Sequence, residues 1–415
     1  MSARPAPQIA DYESIVGSST LEELRELAKR LAGRRIVMVN STRVGGGVAE
    51  ILNRMMPMLQ ELGLTGRWEV IEGTGPFYRV TKTFHNALHG QLDPVTPEMY
   101  DLFLEVGRRN AQRLALDEEL VFIHDPQPIV LVETRKRTPS SQWLWRCHID
   151  VSRPNPAVWK FLEPFIRQFD AAVYSSAAFA QQLAMRQILI APSIDPLSDK
   201  NRELLTEEVS EILQRLGVPQ DRPIITQVSR FDYLKDPVGV IEAFRRVRRS
   251  IVCRLVLAGG TADDDPEGEE VLQRVREAAK GDPDIHLLLL PPNSDLEINA
   301  LQRASAVVVQ KSIREGFGLT VSEALWKGRP VVASAVGGIP LQVKHRYSGL
   351  LVHSVEGAAY AIKQLLNNPE YAKRLGENGR EHVRNHFLLT RHLRDYLLAF
   401  MTLGRSEELV YLNGR

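Results

Sequence analysis

The stretch AVVVQKSIREGFGLTVSEALWKGRPVVAS, Ala306–Ser334, reads as strand, glycine loop, helix and strand. Its two β-branched runs, AVVVQ (Ala306–Gln310) and RPVVAS (Arg329–Ser334), have the short apolar pattern of strands buried on both faces. Between them Gly316 and Gly318 open the backbone, and a helix is expected to start near Leu319 or Thr320. Strands joined through a helix lie parallel, so this segment specifies an α/β fold. It also carries two acids, Glu315 and Glu323, with seven residues between them. They can be an acid/base pair, metal ligands, or two separate hydrogen-bonding groups on one ligand.

The alternation extends in both directions. Arg34–Asn40, Glu118–Asp125, Trp143–Asp150 and Asp170–Ser176 read as strands of a first series. Pro223–Ser229, Arg254–Gly260 and Ile285–Leu290 join the two quoted strands in a second. Helical patterns lie between them, among them EILNRMMPMLQEL, which Pro57 should kink or end early. Upstream, Thr20 and Glu23 fit a capping box, with Gly33 as the helix C-cap. Two series imply two Rossmann-like domains facing across a deep cleft, 1–195 and 196–387, with Pro192 and Pro196 stiffening the seam. The last segment, 388–415, reads as an amphipathic helix able to return to either domain and is assigned to the first.

Composition narrows the function. A chain of 415 residues with net charge +1 offers no overall electrostatic case for nucleic acid or membrane as partner. Its two cysteines, Cys147 and Cys253, fit a reducing compartment better than a disulfide framework. No apolar run approaches a membrane span, and the N-terminus lacks the apolar core of a signal peptide. A cytoplasmic protein is expected.

Ligands of parallel sheets gather at the carboxyl ends of the strands. There Arg230 and Lys235 follow the first strand of the second series, either as surface cations or as a fork and a point charge for a diphosphate. Glu315, Gly316, Phe317, Gly318, Leu319 and Thr320 lead into a helix whose free N–H groups form an anion site. Glu323, a turn inside, is either an N-terminal acid favoured by the helix dipole or a ligand contact. The different depths of Glu315 and Glu323 do not suit a metal pair, and no His-x-x-x-His or Asp-x-Asp stands nearby. In the first series Gly45, Gly46 and Gly47 follow the first strand, without the spacing of a dinucleotide fingerprint or a P-loop. HDPQP (His124–Pro128) and RCHID (Arg146–Asp150) bring a histidine and an aspartate each to strand ends. His85 and Asn86 in TKTFHNALHG can contact sugar hydroxyls.

Together these motifs resemble the retaining GT-B glycosyltransferases of family GT4. More narrowly, VNSTRVGGGVAEIL, FHNALHG, HDPQP, WLWRCHID, PSIDPLS, ITQVSRFD and SIREGFGLTVSEALWKG are similar to the trehalose glycosyltransferring synthases. The resemblance covers nearly the whole chain. It implies a hexosyltransferase joining glucose from a nucleoside diphosphate glucose to free glucose, giving α,α-trehalose, with synthesis and cleavage both open as the direction. It implies ADP-, UDP- or GDP-glucose as donor substrate, no required cofactor and no metal, small-molecule sugars as partners, and a homodimer. By resemblance Arg230 and Lys235 bind the diphosphate, while Glu315 and the backbone from Gly316 to Leu319 hold the donor glucose and phosphate. Glu323 binds the ribose, His148 lies beside the sugar's reacting end, and the Gly45–Gly47 loop, with Gly46 and Gly47 as donor contacts, shapes the donor phosphate and acceptor region. His85, Asn86 and Asp125 are the acceptor candidates. Backbone near Gly259–Thr261 and Leu290–Leu296 would meet the base. A trehalose phosphorylase, another GT4 enzyme, or a non-catalytic nucleotide-sugar-binding regulator are the alternatives.

One position departs from the family. Where members often carry WKG, this chain has YLKDP, Tyr233–Pro237. Asp236 replaces a glycine next to Lys235, and a carboxylate there opposes a diphosphate unless it points away.

Overall fold

The computed structural model describes residues 7–43, 46–92, 94–260 and 266–403. The chain divides into a unit of Met1–Pro192 with Leu389–Arg415 and a unit of Ser193–Leu388.

In the first unit six strands pair in parallel: β1 (Arg35–Asn40), β2 (Thr65–Val70), β3 (Leu120–His124), β4 (Gln142–Cys147), β5 (Ala171–Tyr174) and β6 (Arg186–Leu189). Their order is β2-β1-β3-β4-β5-β6. The second sheet holds β7 (Ile224–Val228), β8 (Arg254–Gly259), β9 (Ile285–Leu289), β10 (Val307–Gln310), β11 (Val331–Ser334) and β12 (Leu350–Val352). Read from its far edge, the order β9-β8-β7-β10-β11-β12 is the doubly wound dinucleotide-fold order. The chain reverses direction across the sheet between β1 and β3 in the first unit and between β7 and β10 in the second. These switch points are where such sheets bind ligands.

One face of the first sheet packs Trp143, Trp145 and Cys147 against Phe77, Phe84 and Phe103 from the helices Gly75–Leu88 and Pro97–Arg113. The other face carries Phe122, on which Tyr396 and Phe400 of the helix Leu389–Thr402 lie with ring centres 5.1 and 5.9 Å away. The second core gathers β-branched strand residues with Phe244, Ile241 and Leu272.

Several local expectations are corrected. The helix Gly47–Glu61 runs through Pro57 instead of ending early. Pro57 is exposed, while Met55, Met56, Met58 and Leu59 are buried on either side of it. Burial of that face outweighs one lost backbone hydrogen bond. Thr20 is no N-cap: the helix begins at Ser18 behind Gly17, and Thr20 Oγ1 donates to Val16 O at 2.9 Å. That helix ends at Lys29, so Gly33, at φ +79°, lies beyond its cap. Strand β4 stops at Cys147 because the His148 N–H is taken by the Asp125 side chain. β2, β6 and β12 escaped the sequence reading; β2 and β6 are half-exposed and β12 has only three residues.

Candidate active site

In the first unit the candidate residues cluster at the β3 and β4 ends. Asp125 turns the chain at φ +65°, a left-handed conformation that aspartate tolerates. It is braced on three sides. Its N–H donates to Arg146 O at 2.7 Å, its carbonyl accepts from Trp145 Nε1 at 3.0 Å, and its Oδ1 accepts from His148 N at 2.8 Å. Burial raises the Asp125 carboxyl to about 7, against the His148 N–H and Arg146, which lower it. His148 Nε2 stands 3.1 Å from His124 Nδ1, and the two rings stack at 5.5 Å. Burial, then Arg146, then His124 hold the partly exposed His148 well below the ordinary imidazole value.

The other first-unit candidates sit on adjoining elements. His85 and Asn86 lie in the last turn of Gly75–Leu88, where the His85 ring is 4.8 Å from that of His89. Asn155 N donates to Ala87 O at 2.8 Å, tying this helix end to the loop that follows β4. Gly46, at φ +80°, caps the helix Gly47–Glu61, whose first residue is Gly47. Gly45 lies outside the described residues, as does Thr261.

In the second unit the β7 and β10 loops meet at the switch point. Ile313 N donates to Leu234 O at 2.7 Å, and Lys235 Nζ pairs with Glu315 Oε2 at 2.6 Å. Glu315 is also held by Ser312 Oγ at 3.1 Å and Gln310 Nε2 at 3.4 Å. Arg230 is more than half exposed, with Asp232 Oδ2 at 3.6 Å. The helix Leu319–Trp326 starts behind Gly318 at φ +82°, and Thr320 Oγ1 donates to Val228 O at 3.2 Å. Phe317 is buried, its carbonyl accepting from Gln342 Nε2 at 2.5 Å. The Gly316 loop rests on the turn after β11 so closely that a Cβ on Gly337 would stand 1.6 Å from Glu315 O, and one on Gly338 2.7 Å from Gly316 O. Glycine is required at both for that approach.

Glu323 lies a turn inside the helix, buried, with Gln302 Nε2 at 3.2 Å from its Oε2. Its backbone carbonyl accepts from the buried Lys327 Nζ at 3.2 Å, which also donates to Asn201 Oδ1 at 3.0 Å. Asp236 occupies a left-handed position at φ +48°, one that suits glycine. Its Oδ1 accepts from Gly239 N at 3.1 Å, capping Pro237–Arg248, and its Oδ2 pairs with Lys311. The added carboxylate thus serves a helix N-terminus and a lysine.

Sequence reasoning marked His124 as a strand-end histidine but missed Arg146, Gln302, Lys311, Lys327, Gly337 and Gly338. Arg146 stood in the quoted RCHID motif, so position alone could have marked it. Lys327 and Gln302 carry no local signal, since their meaning depends on which elements pack. Among the described residues no group of three or more His, Cys, Asp or Glu side chains is placed to hold a metal ion. No helix among them is long and apolar enough to cross a membrane.

Two doubly wound sheets with these switch-point loops make a GT-B glycosyltransferase. The fold is shared with the UDP-forming α,α-trehalose-phosphate synthase of Burkholderia xenovorans, solved with glucose-6-phosphate (TM-score 0.72, 15% identity, 89% of this chain and all of that one). Residues 38–181 match the model of the trehalose synthase N-terminal domain, and residues 208–382 that of glycosyl transferases group 1. The trehalose synthase of Rubrobacter xylanophilus is 46% identical over 95% of this chain and 97% of its own length. That of Pyrococcus horikoshii is 44% identical over 96% and 97%. The chain belongs to the trehalose synthase family and is a trehalose-related glycosyltransferase.

Proposed function

We propose that the protein is a retaining glucosyltransferase that joins glucose from a nucleoside diphosphate glucose to free glucose, giving α,α-trehalose. The observation that carries this reading is the β7–β10 switch point. There Arg230, Lys235 and the N-terminus of Leu319–Trp326 offer positive charge beside two buried carboxylates at different depths.

In this reading the second unit is the donor domain and the first the acceptor domain. Arg230 and Lys235 neutralise the diphosphate, and the free N–H groups after Gly318 take phosphate oxygens. Glu315 binds hydroxyls of the donor glucose, and Glu323 the ribose. His148 meets the sugar near its reacting carbon. His85, Asn86 and Asp125 receive the acceptor, with Gly46 and Gly47 shaping the phosphate end. The bond from the anomeric carbon to the phosphate oxygen breaks, and a bond to the anomeric hydroxyl of the second glucose forms on the same face. The departing phosphate oxygen takes the hydroxyl proton. No side-chain nucleophile is needed, and stabilisation of the leaving charge is the main contribution of the site. The buried Glu315, already paired with Lys235, is suited to binding rather than to proton transfer.

The test is a product assay with ADP-, UDP- and GDP-glucose against free glucose and glucose 6-phosphate. Trehalose with stoichiometric nucleoside diphosphate is expected. Preference for glucose 6-phosphate, or glucose transfer from trehalose to inorganic phosphate without nucleotide, would replace this reading.

A further inference from the structure

Beneath the helix Leu389–Thr402 the first sheet buries more charge than the proposed chemistry uses. Arg146 on β4 is wholly buried and is the register partner of His124 on β3. Its guanidinium carbon lies 6.0 Å from the centre of the Tyr396 ring. Nη2 reaches Ser175 Oγ at 3.5 Å, while Nε and Nη1 meet no acceptor among the described residues. His124 packs against Phe122, with ring centres 4.6 Å apart, and against His148.

The 3.1 Å contact between His124 Nδ1 and His148 Nε2 holds one proton when both rings are neutral. Neutrality is favoured on both: His124 is pushed down to about 3 by burial and then Arg146, and His148 falls for the same reasons. Two assignments remain. Either His124 donates from Nδ1, leaving a lone pair on its Nε2 and the N–H of His148 on Nδ1, or the reverse holds.

The surroundings decide between them. Among the described residues His124 Nε2 is buried without a hydrogen-bond partner, as are Arg146 Nε, Arg146 Nη1, Arg391 Nε and the Tyr396 hydroxyl, which can itself donate to a lone pair. Of the nearby acids, Asp395 already accepts from Arg391 at 2.7 Å, and Asp125 from the His148 backbone. His392 on the same helix lies within the field of both arginines and both histidines. A second N–H on His124 would add a donor to a pocket rich in unmatched donors and positive charge. A lone pair there complements both.

We propose that Arg146 and His124 are positioning residues that hold His148 as its neutral Nδ1–H tautomer, presenting a hydrogen-bond donor to a hydroxyl oxygen of the bound sugar. The sugar contact rests on the glucosyl-transfer reading above; the tautomer does not.

The experiment is long-range proton–nitrogen correlation on the full chain with 15N-labelled histidine, with the His148 signals assigned through His148→Gln. A single Nδ1–H tautomer is expected for His148. Arg146→Met should mix the tautomers and lower kcat about tenfold, the scale of one hydrogen bond, with little change in donor KM. Arg146→Lys, which keeps the charge, should restore the single tautomer and most of kcat. Should Arg146→Met not fold, His124→Phe keeps the aromatic stack and should also release the tautomer. An Nε2–H or charged His148 in the wild type, or a tautomer unmoved by these variants, overturns the proposal. An Nδ1–H signal that responds to them supports it even if no donor yields product, a result that overturns the transfer reading instead.

Discussion

Lys235 and Arg230 follow the same strand but stand in different surroundings, and that separates what each substitution tests. Lys235 and Glu315 are both largely buried and answer each other's charge at 2.6 Å. Arg230 projects into solvent, with its nearest carboxylate at 3.6 Å. Arg230→Ala should therefore leave stability within about 0.5 kcal/mol, as for an ordinary surface change. The same change should lower turnover on the order of 100-fold, as loss of one charge-stabilising group at a reacting centre does. Urea melts beside steady-state rates check both halves, and wild-type turnover would remove Arg230 from the diphosphate site. Lys235→Met should cost stability as well, about 3 kcal/mol, because Glu315 then stays buried with neutral Ser312 and Gln310 as its side-chain partners among the described residues. The separate depths of Glu315 and Glu323 were legible in the sequence, because strand, glycine and helix signals sit side by side there. Their partners were not, since Gln302 and Gln310 have no meaning until helix and strand pack. Asp236 shows the same limit: its carboxylate looked like a threat to a diphosphate, and only the fold reveals Lys311 and the Gly239 N–H as its partners.

At the scale of the element, the helix Leu319–Trp326 combines a start behind Gly318 with a buried lysine just past its end. Burial, only partly offset by Glu323, pulls Lys327 from its ordinary 10.5 down to about 7. The unfolded chain thus binds more protons than the folded one between about pH 7 and 10, so stability rises with pH through that window. The slope from this group is at most about 1.4 kcal/mol per pH unit. Lys327→Met should flatten it, which denaturant melts across that range would detect; an unchanged slope would show that Lys327 stays charged in the folded state. The Pro237–Arg248 helix offers a second test. Asp236→Ala loses an N-cap and keeps a left-handed backbone, a cost of about 2 kcal/mol from the two causes together. Asp236→Gly relieves the backbone and should cost about 1 kcal/mol less than the alanine, as thermal melts of the pair would reveal. Element identity was readable wherever apolar runs were long. It failed at half-exposed β2 and β6, where periodicity is weak, and at Pro57, where buried methionines on both sides override a local breaker.

At the scale of the molecule, the chain leaves the first unit at Pro192, builds the second, and returns at Leu389. The returning helix buries Leu389, Leu393, Tyr396, Leu397 and Phe400. At about 1.5–3 kcal/mol for each of these five buried side chains, its removal costs about 7.5–15 kcal/mol, comparable with the whole stability of a typical domain, about 5–15 kcal/mol. The second unit closes its own sheet and core before that helix begins, ending on the bridge between Ile194 and Leu388. A chain ending at Leu388 should therefore lose the cooperative unfolding of the first unit and keep that of the second. Calorimetry with near-ultraviolet circular dichroism can separate the two, because four of the five tryptophans, Trp68, Trp143, Trp145 and Trp159, lie in the first unit. The truncated chain should still bind a nucleoside diphosphate, whose contacts are proposed on the second unit, but make no disaccharide. Retention of both transitions would show that the helix covers the first sheet without being needed to fold it. Arg146 and Tyr396 would then be the place to look for what the helix contributes, since truncation would open the pocket behind His148 while leaving the strands that carry it.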